Sequence, residues 1–581
     1  MDFSDIMKIV KSNSLLKKHG SAALMLWALQ IKFLIEDIDS FAADYLTDSP
    51  NDKGCDLLWV NRDEKFVVIA QDYEKQQWSS ANSAKEKASS LNQAIAWLLG
   101  DETINSLPAM LQSGAQELRD AINNNEIETI YLYYFHNCPE SINIEKELRQ
   151  VAGTMKRFLD QKGINIVVKE IGQNTIIDWY ESVENPILVT ESFTLSDITG
   201  YEIIQTNWKA ISCSINATWL YDIFQKHKDR LFSANQRGYL GFKRSDRNIN
   251  NGIKVSAKDT PENFWAYNNG LSIIVNSYSY SPQSQELIIN GISIINGAQT
   301  TGAIGGLSKT PSENIRIQTR FIQCSDVKIV QDIVRFNNIQ NKMLPSDFRS
   351  NDPVQKRLVE EFSKLDIKLN YSGARRGGAS DIIGRDPNLI SSDTVAQSLM
   401  AFHGQPDIAY RYKGRIWEEN SNYSKVFNDQ TTAEHIIFVY SLHTAINEIF
   451  HNLKGIDQKN MTDSQKDQFE FFTKRGSVYI LIYAIGQCIE TLLGGKVNNK
   501  SRLKFLETRS LEEYKEMWKE VIPVILSFSS TLSESVQKYS FTMEEVNKSV
   551  NSIHQSLEAL FNLNKENFKS IYNSFSSKVE R

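Results

Sequence analysis

The sequence predicts a multidomain protein of α/β plus α class. Three observations carry that expectation. The 581 residues exceed what one hydrophobic core serves, so about three to four domains are expected. Strand-like and helix-like stretches mix up to about residue 195, and strands with Asn-Gly punctuation follow from 196 to 415. From about residue 430 only helical spacing of apolar residues remains. The expected division is an α/β domain over 1–195, a mixed α+β module over 196–415 and an all-helical region over 416–581.

Hydrophobic residues make up 41% and aromatics 10%, enough to bury real cores, so a mainly disordered chain is excluded. The 64 Lys+Arg against 70 Asp+Glu leave a net charge of −6, which excludes a globally basic nucleic-acid coat and leaves room for a local groove. Cys55, Cys138, Cys213, Cys324 and Cys488 are odd in number and form no CxxC pair, so neither a disulfide framework nor a zinc knuckle is expected. The start, MDFSDIMKIVKSNS, has no apolar h-region. Ser477 to Leu493 is the most apolar stretch, yet it contains Gln487 and Glu490 and falls short of a membrane span. A cytoplasmic protein without a membrane partner is expected.

The elements follow in order. Leu24 to Tyr45 has apolar residues at helical spacing, ended by the breakers TDSPNDKG. CDLLWV and KFVVIAQ, joined by the polar NRDE, signal a hairpin. Ser83–Leu99 reads as helix, whereas TIYLYYF and INIVVKEI read as strands. LSIIVNSYSY and ELIINGISII are the strand signals of the second region, and Asp326–Asn338 and Pro353–Leu365 its helices. Glu434–Asn452, Lys466–Leu493, Leu511–Leu526 and Thr542–Phe561 then read as helices, with Pro523 kinking or ending the third.

The hairpin places Asp56 at the start of one strand and Gln71 near the end of the next. Metal-dependent phosphodiester cleavage needs oxygen ligands converging on Mg²⁺ and a lysine beside the water, and two antiparallel strands bring such groups together. The segment GCDLLWVNRDEKFVVIAQDYEK, after a helix bearing Glu36, resembles the PD-(D/E)XK nuclease core. The resemblance implies catalytic roles for Asp56, Gln71, Lys75 and Glu36, with Mg²⁺ held by Asp56, Gln71, Asp72 and Glu74. The triplet is Gln71-Asp72-Tyr73, so tyrosine stands at the lysine position, and Lys75 lies two residues on. A folded relic of such a site is the competing expectation.

The second region carries RGYLG, FW-x-x-NNG, NGAQT, N-x-Q-N and RSNDP-x-Q, in that order. Their wording and order resemble the AIPR family, the abortive-infection phage-resistance proteins of bacteria. That resemblance implies a defence role in which an infected cell is disabled before the phage matures. The residues themselves read consistently with a ligand site. ELIINGISIINGAQT alternates as a strand, turns at Asn296-Gly297 and enters a helix near Gln299 and Thr300, where glycine and free N–H groups suit an anion. Asn268-Asn269-Gly270 forms a second tight turn, and Arg237, Arg375 and Arg376 supply positive charge for phosphate. Both Asn-Gly turns are equally readable as plain hairpin turns, and Trp265 reads as core.

His403 reads as a satisfied histidine. His435, His443 and His451, eight residues apart, step about 80° around a helix and form no ligand face. No Walker loop and no GxSxG elbow occurs. The function expected is therefore antiphage defence by binding or cleaving DNA or RNA with a nuclease-like domain. The alternative is a non-catalytic nucleic-acid or nucleotide sensor, as a homo-oligomer or with an operon-encoded partner supplying toxicity.

Overall fold

The computed structural model describes residues 2–47, 53–76, 85–100, 104–159, 162–234, 244–338, 346, 349–374, 385–536, 541–563 and 573–581. Packing groups the chain into two compact units, each drawn from three stretches. One comprises Met1–Leu34, Asp72–Lys85 and Glu128–Met343; the other comprises Ile35–Gln71, Glu86–Ile127 and Leu344–Arg581. These groupings do not themselves fix domain boundaries near residues 195 and 415. The mixed class holds: sheets occupy the N-terminal and central regions, and helices dominate after residue 416. A two-residue pairing of Lys504–Phe505 with Val579–Glu580 departs from the all-helical expectation.

In the unit containing Ile35–Gln71, β1 (Leu57–Asn61) and β2 (Phe66–Tyr73) form the expected antiparallel hairpin, registered from Leu57↔Ala70 to Asn61↔Phe66. The last two residues of β2 fall in the other unit. Every residue from Leu57 to Asn61 and from Phe66 to Gln71 is buried, which explains runs without polar alternation. The helical remainder closes on one core in which Phe402, Phe438, Tyr479 and Trp518 are almost wholly buried. Ser477–Leu493 is nearly all buried and is a core helix. The expected 466–493 helix is two helices, Asp463–Phe472 and Ser477–Leu493, bent by 108° where Gly476 takes a φ of 80°. Likewise the 511–526 stretch breaks into Leu511–Lys519 and Ile522–Leu526, with Pro523 in the first turn of the second piece. Among the described residues no single helix is long and apolar enough to cross a membrane; that bent pair passes only when its two parts are taken together.

In the other unit, β3 (Thr129–His136) and β4 (Asn165–Ile171) are parallel and joined through the helix Ile142–Phe158. A seven-stranded sheet follows, built from β5 (Val189–Leu195), β6 (Gly200–Ile204), β7 (Trp208–Asn216), β8 (Leu271–Val275), β9 (Ser277–Ser281), β10 (Glu286–Asn296) and β11 (Arg316–Cys324). Its order is β5-β10-β8-β11-β7-β6, with β9 also paired to β10. β5 and β6 end this path at opposite edges, yet only residues 196–199 join them. Flat strands would put those edges about 24 Å apart, whereas such a connector reaches about 18 Å. The sheet must curl. Lys209 on β7 donates to the Tyr278 carbonyl at 3.1 Å, and Gln323 on β11 accepts from the Tyr278 N–H at 3.1 Å, so β9 comes across to both strands. The inner face buries Ile211, Ile215, Ile273, Ile317 and Phe321 under the helices Ala217–His227 and Ala298–Gly305. On the outer face, Ile274, Ile295 and Ile322 pack against the helix Val327–Asn338, and a polar row continues beyond them.

Candidate functional sites

The hairpin brings Asp56 and Gln71 together. The Asp56 N–H donates to the Ala70 carbonyl at 2.9 Å, which extends the ladder one residue and sets its side chain beside Gln71. The Gln71 Nε2 group donates to the Asp56 carboxylate at 2.5 Å, and the Ser90 hydroxyl donates to Gln71 Oε1 at 2.9 Å. Asp56 and Gln71 are both buried. Gly54, at a φ of 81°, permits this closure, because a Cβ there would lie 2.7 Å from the Ser90 carbonyl oxygen. Ser90 had no signal in the sequence, since it sits on the helix after the hairpin and joins only through the fold.

The other residues expected at this site are placed as follows. Glu36 faces Arg385 at 3.5 Å, in the same unit as Asp56. Asp72, Glu74 and Lys75 fall in the other unit, where the Lys75 N–H donates to Asn137 Oδ1 at 3.0 Å and Asn137 Nδ2 donates to the Lys75 carbonyl at 2.8 Å. Tyr73 is half-buried. Among the described residues no three or more His, Cys, Asp or Glu side chains group to hold a metal ion. The Asp56–Gln71 pair fits a hard cation in donor type, as both carry oxygen. It does so only with the Gln71 amide turned, its oxygen toward Asp56 and its nitrogen toward Ser90. A hydroxyl, which donates and accepts, permits that turn.

In the central module the two Asn-Gly turns lock onto each other. Asn268 Oδ1 accepts from the Gly270 N–H at 2.9 Å and from the Thr300 hydroxyl at 3.1 Å. Gly297, at a φ of 95°, starts the helix Ala298–Gly305, and a Cβ on it would lie 2.7 Å from the Gly270 carbonyl oxygen. Asn296 Nδ2 donates to the Asn337 carbonyl at 3.0 Å, so Asn337, directly ahead of the N-x-Q-N segment, joins the cluster. Asn269 is exposed and Gln299 half-buried. Trp265 is not core as expected: it is 50% exposed, because its four-residue helix, Phe264–Tyr267, buries only Phe264. Arg237, Arg375 and Arg376 lie outside the described residues.

Both interlocked turns lie within residues 232–531. A family model described as AIPR protein matches residues 232–531, just over half of the chain. The chain belongs to the AIPR family. No curated protein and no solved structure matches it. Membership associates the protein with abortive infection and phage resistance. The structure gives another AIPR segment, RSNDP-x-Q, a plain physical task. Asp352 caps the helix Pro353–Lys364 by accepting from the Val354 N–H at 2.9 Å, with Pro353 in the first turn. Gln355 is buried between the Tyr371 and Tyr423 hydroxyls at 2.8 and 3.1 Å.

Several polar contacts in this AIPR protein had no legible signal. His136 Nε2 meets Glu170 at 2.9 Å across the ends of the parallel β3 and β4, and Glu170 also accepts from the Ser141 N–H. Arg320 donates to Ser272 at 2.9 Å and to Asn337 at 2.7 Å. His403 and His435 meet Nε2 to Nε2 at 3.1 Å. Each contact joins residues at least 17 positions apart, beyond what periodicity reports.

Proposed function

We propose that this AIPR protein acts in abortive infection by binding nucleic acid, with the Asp56–Gln71 hairpin as a nuclease-like core that does not cut. The observation that carries this reading is the contact of Gln71 Nε2 with the Asp56 carboxylate. An amide donor occupies the acid, tyrosine stands at the lysine position, and the backbone at Lys75 is tied to Asn137. DNA or RNA is the partner, and toxicity comes from an assembled oligomer or an operon-encoded protein. Binding of labelled polynucleotides in EDTA, titrated with salt, tests this. Metal-independent affinity that falls steeply with salt is expected; affinity that requires a divalent cation, or none at all, sinks it.

The meeting of Asp56 and Gln71 also favours a second reading, Mg²⁺-dependent cleavage. Asp56 and Gln71 would hold the ion. When bound, the ion supplies an activated water and neutralises phosphate charge. Cleavage with Mg²⁺ or Mn²⁺ that is lost in Asp56→Ala supports this reading. Absent cleavage, or cleavage that survives the substitution, removes it.

A further inference from the structure

Exposed aromatic rings are unevenly distributed in this protein. Among the described residues five aromatic side chains are more than a third exposed, and four of them, Tyr201, Trp265, Tyr267 and Phe336, fall within the central sheet and its flanking helices. Water-facing rings cost free energy unless a ligand covers them, so each is a candidate contact for one.

The strand register shows how this surface is built. Tyr201 on β6 pairs with Ser212 on β7, Ser212 with Arg320 on β11, Arg320 with Ser272 on β8, and Ser272 with Asn296 on β10. Directly paired residues point to the same face, so these five form one row across five strands. Their chain neighbours Ile211, Phe321 and Ile273 are buried in the inner core, which puts the row on the outer face. Tyr201 is 65% exposed, and Gln318 and Arg320 are exposed beside it. Arg320 is held in place by two neutral acceptors, Ser272 Oγ and Asn337 Oδ1, and makes no ion pair among the described residues. Its charge is therefore positioned and available. Phe336 lies next in the chain to the residue that holds it.

We propose that this outer face binds single-stranded nucleic acid, with Tyr201 stacking on a base and Arg320 holding a backbone phosphate. The proposal rests on the nucleic-acid reading above and adds the surface and the strand state. Two strand spacings, about 10 Å, separate Tyr201 from Arg320, a span that one or two nucleotides cover. Small hydroxyl residues, Ser212 and Ser214, leave the floor between them low. A protein-docking face would centre on apolar residues depleted of charge, whereas this row sets one cation among hydroxyl side chains and ends on the Tyr201 ring, with Ile203 the exposed apolar side chain next along that face of β6. Stacking on an exposed ring needs an unpaired base.

Fluorescence anisotropy of the full chain in EDTA tests this, with short labelled oligo(U), oligo(dT) and a mixed-sequence duplex. Both single strands are expected to bind more tightly than the duplex, and a preference between them identifies RNA or DNA as the ligand. Tyr201→Ala, an exposed change that leaves the melting temperature in place, is expected to weaken single-strand binding at least about fivefold. Arg320→Gln should weaken it and lower the salt slope by about one, while Phe158→Ala changes nothing. Wild-type binding that both variants retain in full overturns the face and leaves the nucleic-acid reading standing. Preference for the duplex overturns the single-strand assignment, and no binding to any polynucleotide at low salt overturns both readings.

Discussion

Glu117 lies at the centre of a buried charge cluster whose disruption has a calculable cost. Its carboxylate accepts from Arg62, from Arg475 Nη1 at 2.8 Å and from the Tyr410 hydroxyl at 2.9 Å. The side chains of Glu117, Arg62 and Arg475 are 8%, 7% and 5% exposed. Burial alone would push the Glu117 carboxyl up, yet Arg62 and Arg475 hold it below its ordinary range. Arg475 also donates to the Leu58 carbonyl, so it ties the hairpin to the helix Ala109–Asn123. Arg475→Met removes one of two cations and leaves that carbonyl without its donor. Breaking a buried pair typically costs about 3–5 kcal/mol. Because Arg62 remains, the lower part of that range, about 3 kcal/mol, is expected, a large share of the stability of a typical domain. Urea denaturation followed by tryptophan fluorescence measures it, and a double-mutant cycle with Glu117→Gln should show coupling of about 1–3 kcal/mol. A cost under about 1 kcal/mol for Arg475→Met, or additivity within about 0.5 kcal/mol, would falsify the view that this cluster locks the hairpin.

Two further outcomes are expected. Gln71→Glu sets a second carboxylate against Asp56, so the melting temperature should fall in EDTA and recover in millimolar Mg²⁺; equal melting in both would show that no cation reaches the pair. The buried pair His403 and His435 should make stability fall with acid. Burial, with His435 nearby, pushes His403 down to about 3, and burial pushes His435 down to about 4. Unfolded histidines titrate near 6.5, so between that pH and about 4 the unfolded state binds more protons, and stability is lost as pH drops. The two rings touch and titrate as a pair, and the loss at pH 5 is on the order of a few kcal/mol for the pair. Urea midpoints for His403→Gln should show a shallower acid slope than wild type, and parallel slopes would refute the assignment.

Local pattern reached far into this protein. The Leu57–Tyr73 hairpin was legible because two apolar runs flank a polar turn, and the helix at Ala298 because glycine and threonine follow an alternating strand. Trp265 was misread because apolar character was taken for burial, whereas a four-residue helix has only one face to bury. The two units, each assembled from separated stretches, could not be read at all, since chain-local composition carries no information on which distant segments pack together.

The sequence by itself determined the class, the helical C-terminal region, the hairpin that carries Asp56 and Gln71, and the AIPR membership written in its Asn-Gly segments. Only the tertiary structure decided that the Gln71 amide and Ser90 close around Asp56, that Asn268 and Thr300 satisfy each other, and that Tyr201 and Arg320 share one outward row. The physical reason is common to all three. Hydrogen-bond partners and sheet faces are set by strand register and helix placement, which bring together residues between 15 and 119 positions apart, while periodicity extends only a few turns along the chain.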